Sequence, residues 1–268
     1  MSESLRRAVE LLEALRTADT GLGVRELAVR VGQPKSTVAR LLRSLEEVQL
    51  AAQDPVSRRY QLGPRTLTLG AAYQARSDLR IVALPPMRRL RDQAGETVGL
   101  SVMLGNERMF IEEVQSVSEL RTTSELGHPY PLWFGAPGRV LLAGLDRPRL
   151  AEVLDSAGHD AWRVVRPATR DGFVALVDEV RDAGHAKAFD ESIPGVSAVA
   201  APVHDATGRV VAALSISGPS GRFDSAAMDR DLPELLAAAG QISAALGRCA
   251  PYSPLTRSAS RGSTGDPG

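Results

Sequence analysis

Basic and hydroxyl side chains are concentrated between Leu27 and Leu45, in a composition suited to binding nucleic acid. Arginine and lysine recognise guanine edges in the major groove, and serine and threonine hydroxyls bind bases or phosphates. The segment has no aspartate or glutamate, so its positive charge is uncompensated and attracts phosphates, and its four cations are Arg30, Lys35, Arg40 and Arg43. The pattern predicts contact with double-stranded DNA.

A helix that begins near Pro34 would present these groups on one face. Its apolar residues recur with helical spacing and form one stripe, which consists of Val38, Leu41, Leu42 and Leu45. Another amphipathic segment ends at Gly32, so the two predict a helix-turn-helix, in which the start of the second helix meets base edges. We expect base contacts from Lys35, Ser36, Thr37 and Arg40, a phosphate contact from Arg43, and a DNA contact from Arg25 on the preceding helix.

A short hairpin is predicted directly after this helix. Residues 50–53 and 59–62 read as strands and flank a turn at 54–58. Such a wing meets the DNA backbone or the adjacent minor groove, so we expect DNA contacts from Arg58, Arg59 and Tyr60. The alternative is a charged helix face that is merely solvated. The succession of a helix pair, an acid-free face and a basic hairpin favours a winged helix-turn-helix.

The rest of the chain predicts a second domain of mixed helices and strands, which makes the fold class α+β. Predicted strands cover 98–104, 109–114, 196–203 and 210–217, and predicted helices cover 137–143, 147–154, 171–183 and 233–246. Pro85 and Pro86 are interpreted as a boundary region before a helix through 90–94. The expected domains are a winged helix-turn-helix at 1–63, a linker helix at 64–78, a sensing domain at 79–249 and a disordered tail at 250–268.

The composition excludes several classes of protein. The 268 residues include 32 acidic and 32 basic side chains, so attraction to DNA must come from local clusters. The single cysteine, Cys249, and four scattered histidines give no disulfide or metal-ligand spacing, and we expect no metal or cofactor. The polar N-terminus shows no signal or membrane-spanning pattern, so we expect a cytoplasmic protein without membrane contact.

Several stretches resemble bacterial transcriptional regulators of the IclR family. The likeness lies in residues 34–46 (PKSTVARLLRSLE), 54–55 (DP), 59–63 (RYQLG), 195–203 (GVSAVAAPV) and 208–219 (GRVVAALSISGP), and it extends to about Cys249. The resemblance implies a GAF-like effector-binding domain and a homodimer or homotetramer on a palindromic operator. It also implies a regulator, such as a repressor, that responds to a small molecule, often an organic or aromatic acid.

The chain departs from the family pattern at three places. Arg58 stands where the wing turn commonly has glycine, and Ala198 aligns with a frequent pocket cysteine. The family's run Leu-His-Ala-Thr-Ala-x-Gly-Lys becomes residues 132–139 (LWFGAPGR). These changes retain the DNA-binding prediction and leave the identity of the ligand open.

An effector site is expected where the last strand passes the start of a helix. Alternation along that strand puts Ser215 and Ser217 on one face together with Val211. A symmetric hairpin would pair Ala198 with Ser215. It would likewise pair Val196 with Ser217, giving an apolar floor with two hydroxyls that suits a carboxylate or carbonyl ligand.

The start of the helix supplies further candidates. Free backbone N–H groups there attract anions, and the resemblance also implies an effector at this place. The expected contacts with the effector include Leu132, Gly135 and Ala136, and Trp133 would form an aromatic wall. Asp190 would accept a hydrogen bond from a ligand hydroxyl, and Arg121 would pair with a ligand carboxylate. For Trp133 and its neighbour Phe134, packing in a core or interface is the stronger alternative.

Two other functions stay open on the sequence. If Trp133 and Phe134 filled the pocket, the chain would be a ligand-independent DNA-binding oligomerisation module. An enzyme with an N-terminal docking domain is the second alternative. However, neither residues 21–23 (GLG) nor 217–221 (SGPSG) fit a nucleotide-binding or nucleophile-elbow pattern.

Overall fold

The computed structural model describes residues 2–76, 78–157, 168–191 and 193–247. The chain divides into two compact units, Met1–Ser77 and Asp78–Gly268, each with its own apolar core. Cys249 and the predicted tail at 250–268 lie outside the described residues.

The first unit contains the predicted helix-turn-helix and hairpin. Its elements are α1 (Glu3–Arg16), α2 (Val24–Arg30), α3 (Lys35–Glu47), β1 (Ala51–Gln53), β2 (Tyr60–Leu62) and α4 (Arg65–Arg76). Leu11, Leu27 and Leu42, one from each of the first three helices, are fully buried in its core. Gly32 has a φ of 62°, a left-handed conformation that commonly ends a helix, so the chain turns tightly between α2 and α3. Both predicted motifs are confirmed.

The second unit is built around a six-stranded antiparallel sheet with strand order β5-β4-β3-β8-β7-β6. Its elements are α5 (Asp78–Ala94), β3 (Thr97–Leu104), β4 (Glu107–Val114), β5 (Pro129–Pro131), α6 (Gly135–Ala143), α7 (Arg147–Asp155), α8 (Arg170–Ala183), β6 (Ala186–Phe189), β7 (Val196–His204), β8 (Val210–Pro219) and α9 (Ser225–Leu246). The predicted α+β class is confirmed, although the sequence did not indicate the short strands β5 and β6.

Helices cover both faces of this sheet, and the two faces differ in the size of their side chains. On the face packed by α5 and α9, the strands contribute bulky residues such as Leu100, Leu214 and Ile216. On the face packed by α6, α7 and α8, the central strands contribute small residues such as Ala200 and Ala213. These small residues form the floor of the candidate effector site described below.

Three prolines lie inside helices that the sequence analysis interrupted or shortened. Pro85 and Pro86 are in the middle of α5 rather than at a domain boundary, and Pro233 is inside α9 rather than at its start. Each proline removes one backbone donor, but burial of the apolar side of each helix against the sheet outweighs that loss. The actual start of α9 is set by Asp224, whose side chain accepts a hydrogen bond from the Ala227 N–H at 2.9 Å.

The hairpin between β7 and β8 has a different register from the symmetric one expected. Ala198 pairs with Ser217, and Ala200 pairs with Ser215. An irregularity beside Val203 leaves Val211 as an extra residue, so that Val211 packs with the opposite face of the sheet. Because the total shift is two residues, Ser215 and Ser217 keep the predicted face.

Candidate DNA interface and effector site

Helix α3 buries its apolar stripe and exposes its basic side. Val38 and Leu42 have no exposed surface, and Leu41 and Leu45 are also buried. On the opposite side, Lys35, Ser36, Arg40 and Arg43 are exposed, and Thr37 is half-buried beside them. Within the described residues, Lys35 and Arg40 form no ion pair, so their charges remain available to phosphates and base edges. Arg25 is likewise exposed on α2.

The hairpin turn is closed by Asp54 and exposes Arg58. The Asp54 carboxylate accepts hydrogen bonds from the Ser57 N–H at 2.6 Å and the Ser57 hydroxyl at 2.7 Å, and these bonds lower the pKa of Asp54. Arg58 has a φ of 58°, where the resembled family commonly has glycine, and its side chain is exposed. The turn thus holds one arginine at its tip in a conformation that disfavours every residue except glycine.

Arg59 and Tyr60 make contacts within the first unit, and the burial of Tyr60 corrects the expectation that its side chain faces DNA, whereas a DNA contact from Arg59 stays a prediction. The Arg59 guanidinium lies 2.8 Å from the Glu26 carboxylate and donates to the Gly21 carbonyl at 3.1 Å. The Gly23 N–H and Arg59 together lower the pKa of Glu26. Tyr60 is only 6% exposed and packs in the core of the first unit. These contacts fix the hairpin to the start of α2.

The expected effector site corresponds to a face of the sheet at the start of α6. The floor consists of small residues on neighbouring strands, namely Gly99, Ser101, Ala198, Ala200, Ala213 and Ser215. Helix α6 begins at Gly135, with Gly135 and Ala136 buried and no side chain capping the first turn. At Gly138 a Cβ atom would lie 2.0 Å from the Leu132 carbonyl oxygen, so only glycine allows this close approach.

The side chains at this face are bonded in a way the sequence did not reveal. The Ser215 hydroxyl donates to the Gly99 carbonyl at 3.3 Å, and the Ser217 hydroxyl lies 2.9 Å from the Thr122 hydroxyl. Both serines therefore have protein partners already. Leu132 is completely buried, and Trp133 is half-buried against the same apolar cluster.

Three other residues that were expected to contact the effector lie in surroundings that differ from those expected. Asp190 is exposed and accepts hydrogen bonds from the Gly195 N–H and the Ser220 hydroxyl, both at 2.8 Å. Arg121 is exposed and donates to Gln115 and to the Ser118 carbonyl. Val196 pairs with Pro219 at the end of β7. Asp190 and Arg121 thus stabilise loops, and neither is part of the buried floor.

The buried guanidinium of Arg108 is the most unusual group at this face. Arg108 is 4% exposed, and its Nε and Nη1 atoms have no hydrogen-bond partner among the described residues. Its Nη2 atom is 3.5 Å from the Phe134 carbonyl, directly before α6. The rings of Phe110 and Tyr130 lie 5.0 and 5.1 Å from the guanidinium carbon, within cation–π range. Burial lowers the pKa of Arg108 to about 10, which leaves it charged at neutral pH.

Comparison with known proteins identifies the family. Residues 4–55 match the profile of the IclR helix-turn-helix domain, and residues 71–244 match that of the bacterial transcriptional regulator IclR C-terminal region. The chain belongs to the IclR family of bacterial transcriptional regulators. Membership in a family of regulators also settles the choice against an enzyme.

Relatives of this IclR-family regulator share most of its length. It is 31% identical to the HTH-type transcriptional regulator KdgR of Escherichia coli K12 over 91% of this chain and 92% of the relative. It is 29% identical to the HTH-type transcriptional repressor AllR of the same strain over 83% of this chain and 82% of the relative. The crystal structure of an IclR homolog from Microbacterium hydrocarbonoxydans, complexed with 4-hydroxybenzoate, superposes with a TM-score of 0.74 at 25% identity, covering 91% of this chain and 99% of that chain.

Two further features of the regulator concern membranes and metals. Within the described residues, no helix combines the length and apolar character needed to cross a membrane. The same part of the chain contains no group of three or more histidine, cysteine, aspartate or glutamate side chains arranged to hold a metal ion.

Sequence analysis of this IclR-family regulator missed Arg108 and Ser101. The Ser101 side chain is completely buried, and its hydroxyl has no partner among the described residues. The sequence feature that could have indicated Arg108 is the alternation of side chains along β4, which places Arg108 on the same face of the sheet as Phe110. Predicting its burial would have required the pairing of β4 with β5, a three-residue strand that no periodicity indicates.

Proposed function

We propose that this regulator binds a palindromic operator as a homodimer or homotetramer in the cytoplasm, and that a small organic or aromatic acid modulates the binding. The observation that carries the DNA-binding mode is α3, whose leucines are buried while its exposed side carries cations and no acidic residue from Lys35 to Leu45. In this mode α3 enters the major groove, as the second helix of a helix-turn-helix does.

The exposed residues of the first unit divide into two roles under this proposal. Lys35, Ser36, Thr37 and Arg40 lie at or near the start of α3 and contact base edges. Arg43, Arg58 and Arg25 bind phosphates on either side of the groove. Two copies of the unit would then read the two halves of the palindrome.

Substitution of Arg40 tests the DNA-binding mode. Fluorescence anisotropy with DNA from upstream of the gene would compare Arg40→Ala with wild type. A base-contacting arginine contributes about 1 to 3 kcal/mol, so the dissociation constant should rise by roughly 5- to 150-fold. Arg147→Ala removes an exposed arginine of α7 and should leave the affinity unchanged. Unchanged affinity in Arg40→Ala would contradict the assignment of α3 as the recognition helix.

The effector part of the proposal is supported by the floor of small residues below the start of α6. Gly99, Ala198, Ala200 and Ala213 contribute little or no side chain there, and the similar Microbacterium protein was solved with 4-hydroxybenzoate. A ligand at 100 times its dissociation constant stabilises the folded state by about 2.7 kcal/mol, so thermal shift detects binding. Acids that raise the melting temperature should also change operator affinity. Acids that bind without changing it would favour a ligand-independent regulator.

A further inference from the structure

We propose that Arg108 binds the carboxylate of the effector, so that the site selects monocarboxylic acids and rejects their neutral analogues. This inference rests on the effector binding proposed above and adds the residue that determines which ligands bind. Ser215 and Ser217, the hydroxyl pair expected from the sequence, already bond to Gly99 and Thr122. The carboxylate is therefore assigned to a different group, on β4.

Arg108 is buried without a partner, at a cost in free energy. Its side chain is almost completely buried, and no carboxylate within the described residues forms an ion pair with it. Two of its three nitrogen atoms lack any acceptor, and the third makes only the 3.5 Å contact with the Phe134 carbonyl. A buried charge of this kind destabilises the folded protein. Its presence is accounted for by a ligand that supplies the missing negative charge.

Two aromatic rings hold the guanidinium group of Arg108 in place. Phe110 and Tyr130 lie within cation–π distance of its central carbon, and their rings are inclined to each other by 78°. The two rings restrict the guanidinium to a limited set of positions. A group held in this way loses little conformational entropy when a carboxylate binds its N–H groups.

Other hydrogen-bond donors lie on the same side of the sheet as Arg108. Ser101 faces the same side of the sheet and pairs with Phe110 across β3 and β4, two positions from Arg108 along β4. Its hydroxyl is buried and has no partner among the described residues, so it is free to donate. The first-turn backbone of α6, at Gly135 and Ala136, begins next to the Phe134 carbonyl that Arg108 contacts. Three sources of donors thus lie on this side of the sheet, and no described carboxylate forms an ion pair with Arg108; the acid on the same face is Glu113, opposite Gly99.

The surroundings also indicate the body of the ligand. Phe110 lies across the floor, since a Cβ atom on Gly99 would be 2.7 Å from its ring. Beyond the donors and Glu113, the lining is apolar or made of small residues, including Met103 and Ala213. A single carboxylate attached to a compact apolar or aromatic body matches this combination. A dicarboxylate would leave a second charge buried against apolar side chains without a partner.

The test compares acids with their amides in wild type and in Arg108→Met, which keeps a long apolar side chain and removes the charge. The probes are 4-hydroxybenzoate, benzoate and phenylacetate with the three corresponding amides, and melting temperature and operator affinity are both measured. In wild type, at least one acid should raise the melting temperature, and its amide should not. In Arg108→Met, the dissociation constant for that acid should rise by about 100-fold, because the ion pair can no longer form.

The melting temperature of ligand-free Arg108→Met distinguishes a role of Arg108 in ligand binding from a role in stabilising the fold. If Arg108 serves the ligand, Arg108→Met should melt at the same temperature as wild type or higher, because an uncompensated buried charge is gone. If Arg108 mainly holds β4 and β5 together, the ligand-free variant should melt lower, and the inference would be overturned. Arg88→Met makes the same change at an exposed arginine on α5 and should respond to acids as wild type does.

Failure of this inference is distinguishable from failure of the proposed function. If Arg108→Met keeps the response to acids, or if amides bind as tightly as acids, effector modulation stands and the role of Arg108 is wrong. If wild type binds its operator but responds to none of the acids, both effector binding and the inference are overturned. The DNA-binding mode is then still judged separately, by Arg40→Ala.

Discussion

Arg58 at the tip of the hairpin shows how one residue can serve binding at the expense of stability. Its φ of 58° is left-handed, a conformation that costs a residue with a Cβ atom about 1 kcal/mol. Glycine would adopt it without that cost. The exposed guanidinium of Arg58 makes no contribution to the core, and in the proposed binding mode it reaches a DNA phosphate from the wing.

The substitution Arg58→Gly should therefore change stability and affinity in opposite senses. Unfolding in urea should show the first unit stabilised by about 0.5 to 1 kcal/mol, and anisotropy should show operator binding weakened severalfold, because one phosphate is no longer neutralised. Gln49→Gly is the matched control, because Gln49 is also left-handed, with a φ of 61°, but carries no charge. It should gain similar stability and keep its affinity. An Arg58→Gly protein with wild-type affinity would remove Arg58 from the interface.

At the scale of elements, the position of α6 depends on the absence of one side chain. Gly138 brings the helix so close to the Leu132 carbonyl that a Cβ atom would be 2.0 Å from the oxygen. Arg139, the next residue, is buried and forms an ion pair of 2.6 Å with Glu191 beyond the end of β6. The close approach and the ion pair together fix the start of α6 over the floor of small residues, where the effector is proposed to bind.

The same substitution at two helical glycines tests this account of α6. Gly138→Ala should destabilise the second unit by about 1 to 3 kcal/mol or more, because the backbone must move to admit the methyl group. Gly240→Ala lies on an exposed part of α9 where a Cβ atom meets nothing within 4 Å. It should stabilise by about 0.5 to 1 kcal/mol, since alanine favours a helix. Thermal and urea unfolding would measure both, and equal effects would contradict the close approach.

Elements were predictable from the sequence where local patterns determine them. The stripe of α3, from Val38 to Leu45, belongs to a single helix and indicated its presence and its exposed face, and Pro34 indicated its start. The start of α9 was misplaced because Pro233 resembles a first-turn proline, while burial against the sheet keeps it inside the helix. The pairing of β7 with β8 was shifted by an irregularity beside Val203. The burial of Arg108 depends on β5, which is distant in sequence. This burial could therefore not be predicted from the residues around Arg108.

For the whole molecule, equal numbers of acidic and basic residues mean that net charge gives no attraction to DNA. Attraction must come from the acid-free segment between Leu27 and Leu45, which includes most of α3, and from the hairpin beyond it. Among the described residues of the second unit, most exposed arginines are paired with carboxylates, as Arg147 is with Asp178 at 3.0 Å. The charges that face phosphates are therefore a small, local set.

The dependence of operator affinity on salt should report this local set. For duplex DNA, the slope of log affinity against log salt falls by about 0.9 in magnitude for each phosphate that the protein no longer neutralises. Arg43→Ala should reduce the slope by about that amount, because its exposed cation on α3 no longer displaces a counterion. Arg147→Ala changes the net charge equally but removes a cation that is already paired with Asp178, so its slope should equal that of wild type. Equal slope changes in the two variants would mean that total charge, rather than the basic face of α3, governs binding.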